Sequence, residues 1–229
     1  LADTSLPTLY WNNHDMARVA TRYGDPDYPQ ASAKALATAL YLQRGIPIIY
    51  YGEELGLTNI RYHDIADFED QTVPTFVASA QAAGKSKVEI MRMLNQTHKM
   101  AGRGPMQWDN TVYHGFSDHL PWKHGDTDDM NAQAEIADPD SIYHYYQQLL
   151  QLKQCAPFTN GQFIMLGSAE QLFTYLIDDG QKQAAIVCNL SAQAQTYLLP
   201  VVGGKVLLVQ GGATYRGRQV TLPAWSSLV

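Results

Sequence analysis

The run Trp11-Asn12-Asn13-His14-Asp15-Met16-Ala17-Arg18 places two amides, an imidazole, a carboxylate and a guanidinium directly after an apolar stretch. In α/β folds, ligands meet the chain at the carboxyl ends of parallel strands. A carboxylate there, flanked by imidazole and guanidinium, suits gripping ligand hydroxyls or stabilising a developing positive charge. The competing reading has Asp15 capping the next segment and His14 satisfying a buried backbone group. A second run, Tyr50-Tyr51-Gly52-Glu53-Glu54-Leu55-Gly56, also follows an apolar strand. Glu53 and Glu54 are candidate site carboxylates, but paired acids in such a position more often hold loops through hydrogen bonds. A third run is Gly102-Arg103-Gly104-Pro105-Met106-Gln107-Trp108-Asp109. Arg103 suits charge-assisted bonds to hydroxyls or to a carboxylate. Trp108, Tyr113, Phe116 and Trp122 either offer flat faces to a ring-shaped ligand or pin a long loop, and pinning is expected for most of them.

A succession of strands and helices holds these runs in place. Leu6 to Asn12 reads as a strand and Ala31 to Arg44 as an Ala-rich helix with Gly45 at its exit. Ile46 to Tyr51 is nearly all apolar, the pattern of a short strand buried on both faces. Strand, helix and strand make a βαβ unit of a parallel sheet. Residues 60–100 form a helical insertion, with a capping box at Ser86 and Glu89. Residues 101–135 lack periodicity and read as a long, lid-like loop. Asp138 as N-cap and Pro139 at the first position then open a helix carrying Ile142, Tyr145, Tyr146, Leu149, Leu150 and Lys153. From about Pro157, Leu172–Asp178, Gln183–Cys188, Lys205–Gln210 and Trp225–Val229 read as short strands separated by Asp179-Gly180, Gly203-Gly204 and Gly211-Gly212. The expected architecture is α/β plus all-β, divided into residues 1–156 and 157–229.

Composition bounds the function. With 16 basic and 22 acidic residues in 229, the formal charge is −6. A nucleic-acid or anionic-membrane surface would need the opposite balance. Apolar residues make up 45% and charged residues 17%, enough for a folded core and too little charge for disorder. No apolar run reaches membrane-spanning length. The opening Leu-Ala-Asp-Thr-Ser-Leu-Pro-Thr-Leu-Tyr-Trp has no Met, basic region or apolar core, so it does not read as a signal peptide, and the chain looks cut from something longer. Cys155 and Cys188 form no paired motif and read as small, reduced hydrophobes, consistent with a cytoplasmic protein. His114, His119 and His124 recur at regular spacing, but no Cys or paired carboxylate completes a metal-ligand pattern. There is no phosphate loop, nucleophile elbow or dinucleotide fingerprint, so no cofactor is expected.

Five motifs occur in order: Asn12-Asn13-His14-Asp15-x-x-Arg18, the Tyr50-x-Gly52-Glu53-Glu54-Leu55-Gly56 strand end, Arg103-x-Pro-Met-Gln-Trp-Asp, Gly115-Phe116 with Pro121-Trp122, and Asp138-x-Asp-Ser-Ile. Together they resemble the C-terminal part of the α-glucosidases of glycoside hydrolase family 13, in the oligo-1,6-glucosidase, dextran glucosidase and phosphotrehalase group. The resemblance implies the C-terminal portion of a (β/α)8 barrel followed by an antiparallel β-sandwich. Leu6–Asn12 and Ile46–Tyr51 would be its seventh and eighth strands. Asp15 would be the third catalytic carboxylate, His14 would bind the same sugar ring, Arg18 would lie beside the site, and Arg103 would help close the pocket. The expected partner is an oligosaccharide, with α-1,6 bonds or trehalose 6-phosphate as candidate substrates.

A complete barrel needs about 250 residues, and only two parallel strands are legible. Retaining glycosidases also need a nucleophile and an acid/base about 5–5.5 Å apart. The family places these on its fourth and fifth strands, and neither role can be assigned here. The chain alone is therefore expected to be inactive, and its strands to need either the missing barrel half or self-association as cover. The alternative is a non-catalytic carbohydrate-binding or structural domain of the same fold. Two departures bear on substrate choice. Lys99-Met100-Ala101-Gly102 stands where the family has Arg-Asp-Asn or similar, and Thr72, with Pro74 close by, stands where it has a Glu.

Overall fold

A computed structural model describes residues 5–167, 171–200 and 203–229. The first four residues of the N-terminal stretch read above, and 168–170 and 201–202 of the expected sandwich, lie outside them. The chain runs β1 (Thr8–Leu9), α1 (Val19–Arg22), α2 (Pro29–Tyr41), β2 (Ile46–Pro47), α3 (Val73–Ala82), α4 (Lys87–Thr97), α5 (Ala132–Ala137) and α6 (Ile142–Lys153). Strands follow: β3 (Gln162–Met165), β4 (Leu172–Asp178), β5 (Gln183–Asn189), β6 (Gln195–Leu198), β7 (Val209–Gln210), β8 (Thr214–Arg216), β9 (Gln219–Leu222) and β10 (Ser227–Leu228). These residues gather into two units. One comprises Leu1–Tyr10, Gly24–Ile48 and Asp140–Val229; the other comprises Trp11–Tyr23 and Ile49–Pro139.

In the first unit β1 and β2 pair in parallel, Thr8 opposite Ile46 and Leu9 opposite Pro47, as the βαβ reading requires. The amides of Ile46 and Ile48 donate to the carbonyls of Pro7 and Leu9 at 2.9 and 2.8 Å. The close approach depends on Gly45. Its φ is +151°, and a Cβ there would stand 2.7 Å from both Leu9 Cγ and the Pro7 carbonyl. The expectation that Ile46–Tyr51 is buried on both faces is overturned. Ile46 and Ile48 are 50% and 49% exposed, and Leu6 and Tyr10 are exposed as well. Among the described residues this sheet has two strands, so no neighbouring strand covers them.

Helix α2 starts at Pro29, whose missing N–H costs nothing at the first position. Its Ala33, Ala35, Leu36, Ala37 and Ala39 are buried. The alanines let the helix lie close to α6, where Tyr146 meets Tyr41 edge-on at 5.9 Å between ring centroids. Tyr175 on β4 donates to the Thr38 carbonyl at 3.2 Å, which fixes α2 to the strand region. Helix α6 begins at Ile142 with Ser141 as N-cap, accepting from the His144 amide. The expected start at Asp138 is corrected. Asp138 is instead the C-cap of α5, an element hidden by the aperiodic sequence around it.

The remaining strands form two antiparallel sheets, ordered β3-β4-β5-β10-β7 and β6-β9-β8. Leu172, Val187 and Leu228 of the first share a core with Val220 and Leu222 of the second, the arrangement of a sandwich. The turn between β4 and β5 is the expected Asp179-Gly180. Gly180 has φ +85°, and the Asp179 carboxylate accepts from the amides of Gln181 and Lys182.

The second unit packs Tyr62, Phe68, Val73, Ile90, Leu94 and Met100 into one core. Helix α4 carries the expected capping box, with Ser86 accepting from the Glu89 amide and Glu89 accepting from the Ser86 amide. No helix of the described residues is long and apolar enough to cross a membrane.

Candidate functional site

Within the second unit, Asn12 is buried and uses its amide in both directions. Its Nδ2 donates to Glu53 Oε2 at 2.7 Å, and its Oδ1 accepts from the Val19 amide. The first bond ties the Asn12 segment to the turn Gly52–Gly56; the second caps α1. Glu53 thus holds a loop, the role expected for it. The chain between Asn12 and α1 then turns tightly. Asn13 accepts from the Asp15 amide at 2.8 Å through its side chain and from the Met16 amide through its carbonyl.

That turn turns His14 and Asp15 outward, with side chains 72% and 59% exposed and His14 Nε2 3.2 Å from Asp15 Oδ2. Arg103, far along the chain, meets the same turn twice. Its Nη2 reaches Asp15 Oδ1 at 3.1 Å, and its Nε donates to the His14 carbonyl at 2.6 Å. The guanidinium therefore fixes both the carboxylate and the backbone that carries it. Gly102 makes the approach possible: a Cβ there would lie 2.7 Å from the Met16 carbonyl oxygen.

Arg18 has a different place. It is 2% exposed. Its Nη1 donates to the Tyr51 carbonyl at 2.7 Å, and its guanidinium lies 5.3 and 4.8 Å from the ring centroids of Tyr50 and Tyr51. Burial lowers the Arg18 pKa, while Tyr51, Tyr50, Glu54 and Glu53 oppose that shift; the group remains charged. Burial likewise raises Glu54, only partly offset by the backbone amides of Glu54 and Gly52 and by Arg18. Tyr51 donates its hydroxyl to the Gly104 carbonyl at 2.7 Å. A continuous path therefore runs from Arg18 through Tyr51 and Gly104 to Arg103 and Asp15.

His14, Asp15 and Arg103 are thus brought together at the surface, and Arg18 sits beneath the tyrosine pair. The cluster holds one ionisable carboxylate with oxygen lone pairs open to solvent, beside an imidazole and a guanidinium. Such a set accepts hydrogen bonds from ligand hydroxyls and opposes a growing positive charge.

Sequence reasoning missed Asn59. Its Oδ1 accepts from the Arg18 amide at 2.8 Å, and its Nδ2 donates to the Asn95 carbonyl at 2.7 Å. Asn95 in turn bonds both backbone groups of Tyr62 at 2.9 Å. The surrounding residues carry no spacing signal for this network. The expectation that the loop aromatics serve mostly as pins is corrected for three of them. Trp108, Phe116 and Trp122 are exposed. Trp122, at 73%, donates through Nε1 to Glu69 at 3.1 Å and has the Lys123 ammonium 4.7 Å from its ring centroid.

Residues 1–161 match the family model described as "Alpha amylase, catalytic domain", and residues 168–229 match "Domain of unknown function (DUF3459)". The chain is 36% identical to a glucan 1,6-alpha-glucosidase of Streptococcus pneumoniae, an alignment covering 87% of this chain and 37% of that protein. It is 34% identical to an oligo-1,6-glucosidase of Halalkalibacterium halodurans, over 87% of this chain and 36% of the relative. A solved structure titled "Family GH13_31 enzyme" superposes with a TM-score of 0.84 at 38% identity, covering 98% of this chain and 41% of the other.

The chain belongs to the alpha-amylase catalytic-domain family, glycoside hydrolase family 13. Its architecture is the C-terminal portion of a (β/α)8 barrel followed by an antiparallel β-sandwich. It spans about 37% of the length of the curated relatives it matches.

Proposed function

We propose that the chain is the C-terminal part of a retaining α-glucosidase that hydrolyses α-1,6-glucosidic bonds in short oligosaccharides. Asp15 is its third catalytic carboxylate. It grips hydroxyls of the glucose ring at the broken bond and favours the flattened, positively charged ring of the transition state. His14 binds the same ring. Arg103 closes the pocket and orients Asp15, while Arg18 holds the Tyr50-Tyr51 wall beside them. The observation that carries the reading is the doubly bonded Arg103, which holds an exposed carboxylate at a fixed orientation without burying it. Fixed charge aimed at charge that develops during reaction is the arrangement that lowers a barrier.

The nucleophile and the acid/base belong, in this reading, to the remainder of the parent enzyme, since the cluster of His14, Asp15 and Arg103 supplies a single carboxylate. The chain alone is then without activity, and the exposed Leu6, Tyr10, Ile46 and Ile48 are covered in the parent by further barrel strands or, for the chain alone, by self-association. The barrel portion ends near 156 and the sandwich begins near 157. The enzyme is cytoplasmic, consistent with its two unbridged cysteines. The test is Asp15→Asn in the full-length parent, assayed on isomaltose and on trehalose 6-phosphate. Turnover falls by about three orders of magnitude or more, with isomaltose the better substrate of the wild type. Near-normal turnover in the variant removes Asp15 from the mechanism, and a preference for the phosphorylated disaccharide replaces the substrate.

A further inference from the structure

The second unit holds a cavity of about 400 Å³ that contains none of His14, Asp15, Arg18 and Arg103. Its size falls in the range of small-molecule sites. One wall carries a backbone that few sequences adopt. Tyr113 and His114 have φ of 59° and 56°, and Gly115 continues at 65°, so three successive residues are left-handed and two of them carry side chains. Such conformations persist only where the surroundings over-determine them, and they concentrate at ligand sites. Here the bend is held on every side. The His114 carbonyl accepts from the Trp108 amide at 2.9 Å, its amide donates to the Thr111 carbonyl at 2.8 Å, and its Nε2 lies 3.2 Å from Thr127 Oγ1. Gly115 is pressed against the Asp109 carboxylate, where a Cβ would stand 2.7 Å from Oδ2. The result places the Tyr113 and His114 side chains at the cavity.

The opposite wall carries more acids than fixed cations, with Asp67 and Asp126 beside Arg61. Arg61 bonds Asp128 at 3.2 Å and His63 bonds Asp126 at 2.9 Å, while the backbones of Arg61 and Asp126 pair across the floor. Leu120 and two prolines add apolar surface. A pocket in which Asp67, Asp126 and the nearby Asp128 face the Arg61 guanidinium disfavours anions and offers carboxylate acceptors to hydroxyl donors. Donors and acceptors that alternate around an aromatic and apolar floor suit a neutral molecule with many hydroxyls and an apolar ring face.

We infer that the cavity between the Tyr113–His114 bend and the Arg61–Asp126 floor is a second binding pocket for a neutral saccharide, separate from the Asp15 cluster. The choice of saccharide over another polyol rests on the sugar-cleaving reading above; the excess of acids that disfavours an anion does not.

The test uses the 229-residue chain, titrated with isomaltose and separately with inorganic phosphate, and followed through the histidine ring resonances by NMR. Isomaltose shifts His63 and His114 saturably. Tyr113→Gly, which keeps the bend and removes the ring, and Asp126→Asn each weaken that binding about tenfold or more; Asp15→Ala leaves it within about twofold. Circular dichroism of the variants confirms that they fold. The inference is overturned if isomaltose shifts only His14, if no saturable shift occurs, if phosphate saturates the pocket and isomaltose does not, or if Tyr113→Gly binds as the wild type does. Because Asp15→Asn turnover in the parent is measured separately, loss of one reading leaves the other standing or falling on its own data.

Discussion

Arg103 and Asp15, 88 positions apart, are joined by a 3.1 Å ion pair whose arginine also donates to the carbonyl of the residue preceding the aspartate. A planar guanidinium reaches the two acceptors from separate nitrogens in a fixed fork, whereas a lysine must reach both from one nitrogen on a flexible stem. In the parent enzyme, Arg103→Lys is therefore expected to behave much like Arg103→Ala. Both raise KM for isomaltose about tenfold, or 1.4 kcal/mol, and the Ala variant also accepts longer chains. Melting temperature changes little, since an exposed ion pair contributes about 0–1 kcal/mol. Steady-state kinetics on a series of isomalto-oligosaccharides provides the check; unchanged KM and product pattern in both variants would show that Arg103 does not shape the pocket.

Gly102 faces the Met16 carbonyl oxygen at a distance no Cβ tolerates. Gly102→Ala must push the segment before Arg103 away from the Asp15 turn. The expected cost is about 1–3 kcal/mol of stability, together with a rise in KM of the kind Arg103→Ala produces. Urea unfolding and kinetics on one preparation decide it. Wild-type values for both would mean that the two segments separate without consequence.

Asn12 satisfies a buried carboxylate oxygen and a buried amide simultaneously. Asn12→Leu preserves bulk but leaves both groups short of a bond, and should destabilise by about 2–4 kcal/mol. The urea midpoint falls while the slope with denaturant is retained. A loss below about 0.5 kcal/mol would mean that water replaces the amide at no cost.

Lys153 is buried in the first unit, its Nζ donating to the carbonyls of Gln43 and Phe158, with no carboxylate among the described residues bonded to it. Burial lowers its pKa from 10.5 to about 8. The folded protein therefore releases this proton at lower pH than the unfolded chain. Between about pH 8 and 10.5 the unfolded state holds more protons, so stability rises with pH through that window. Below it both states are protonated and the full penalty applies. After allowance for partial solvation the gain is about 1–2 kcal/mol. Unfolding curves compared from pH 7.5 to 9.5, short of the tyrosines, should slope upward in the wild type and flatten in Lys153→Met. Equal slopes in the two proteins would assign the effect elsewhere.

Strong local chemistry was legible in the sequence. The Asn-His-Asp turn, the Ser86–Glu89 capping box and the Asp179-Gly180 hairpin rest on residues that act within a few positions of themselves, and the parallel partnership around Leu9 and Ile46 follows from the strand–helix–strand order. What escaped depended on distant partners. Ile46 and Ile48 have the composition of a central strand, but burial is set by what lies alongside, and the two-stranded sheet leaves them open. Asp138-Pro139 has the form of a helix start, yet Ser141 sits closer to the apolar stripe and takes the cap, leaving Asp138 to end α5. Strands β3, β6, β8 and β9 are too short to stand out until sheet partners are known. The exposure of Arg103 and the burial of Arg18 could not be told apart from two arginines beside polar runs.

The two units are threaded through one another along the chain: one is assembled from three separated stretches and the other from two. No single scission can therefore release either as an uninterrupted polypeptide, and a protease nick within Gly24–Ile48 or Ile49–Pro139 leaves pieces that each lack part of their own core.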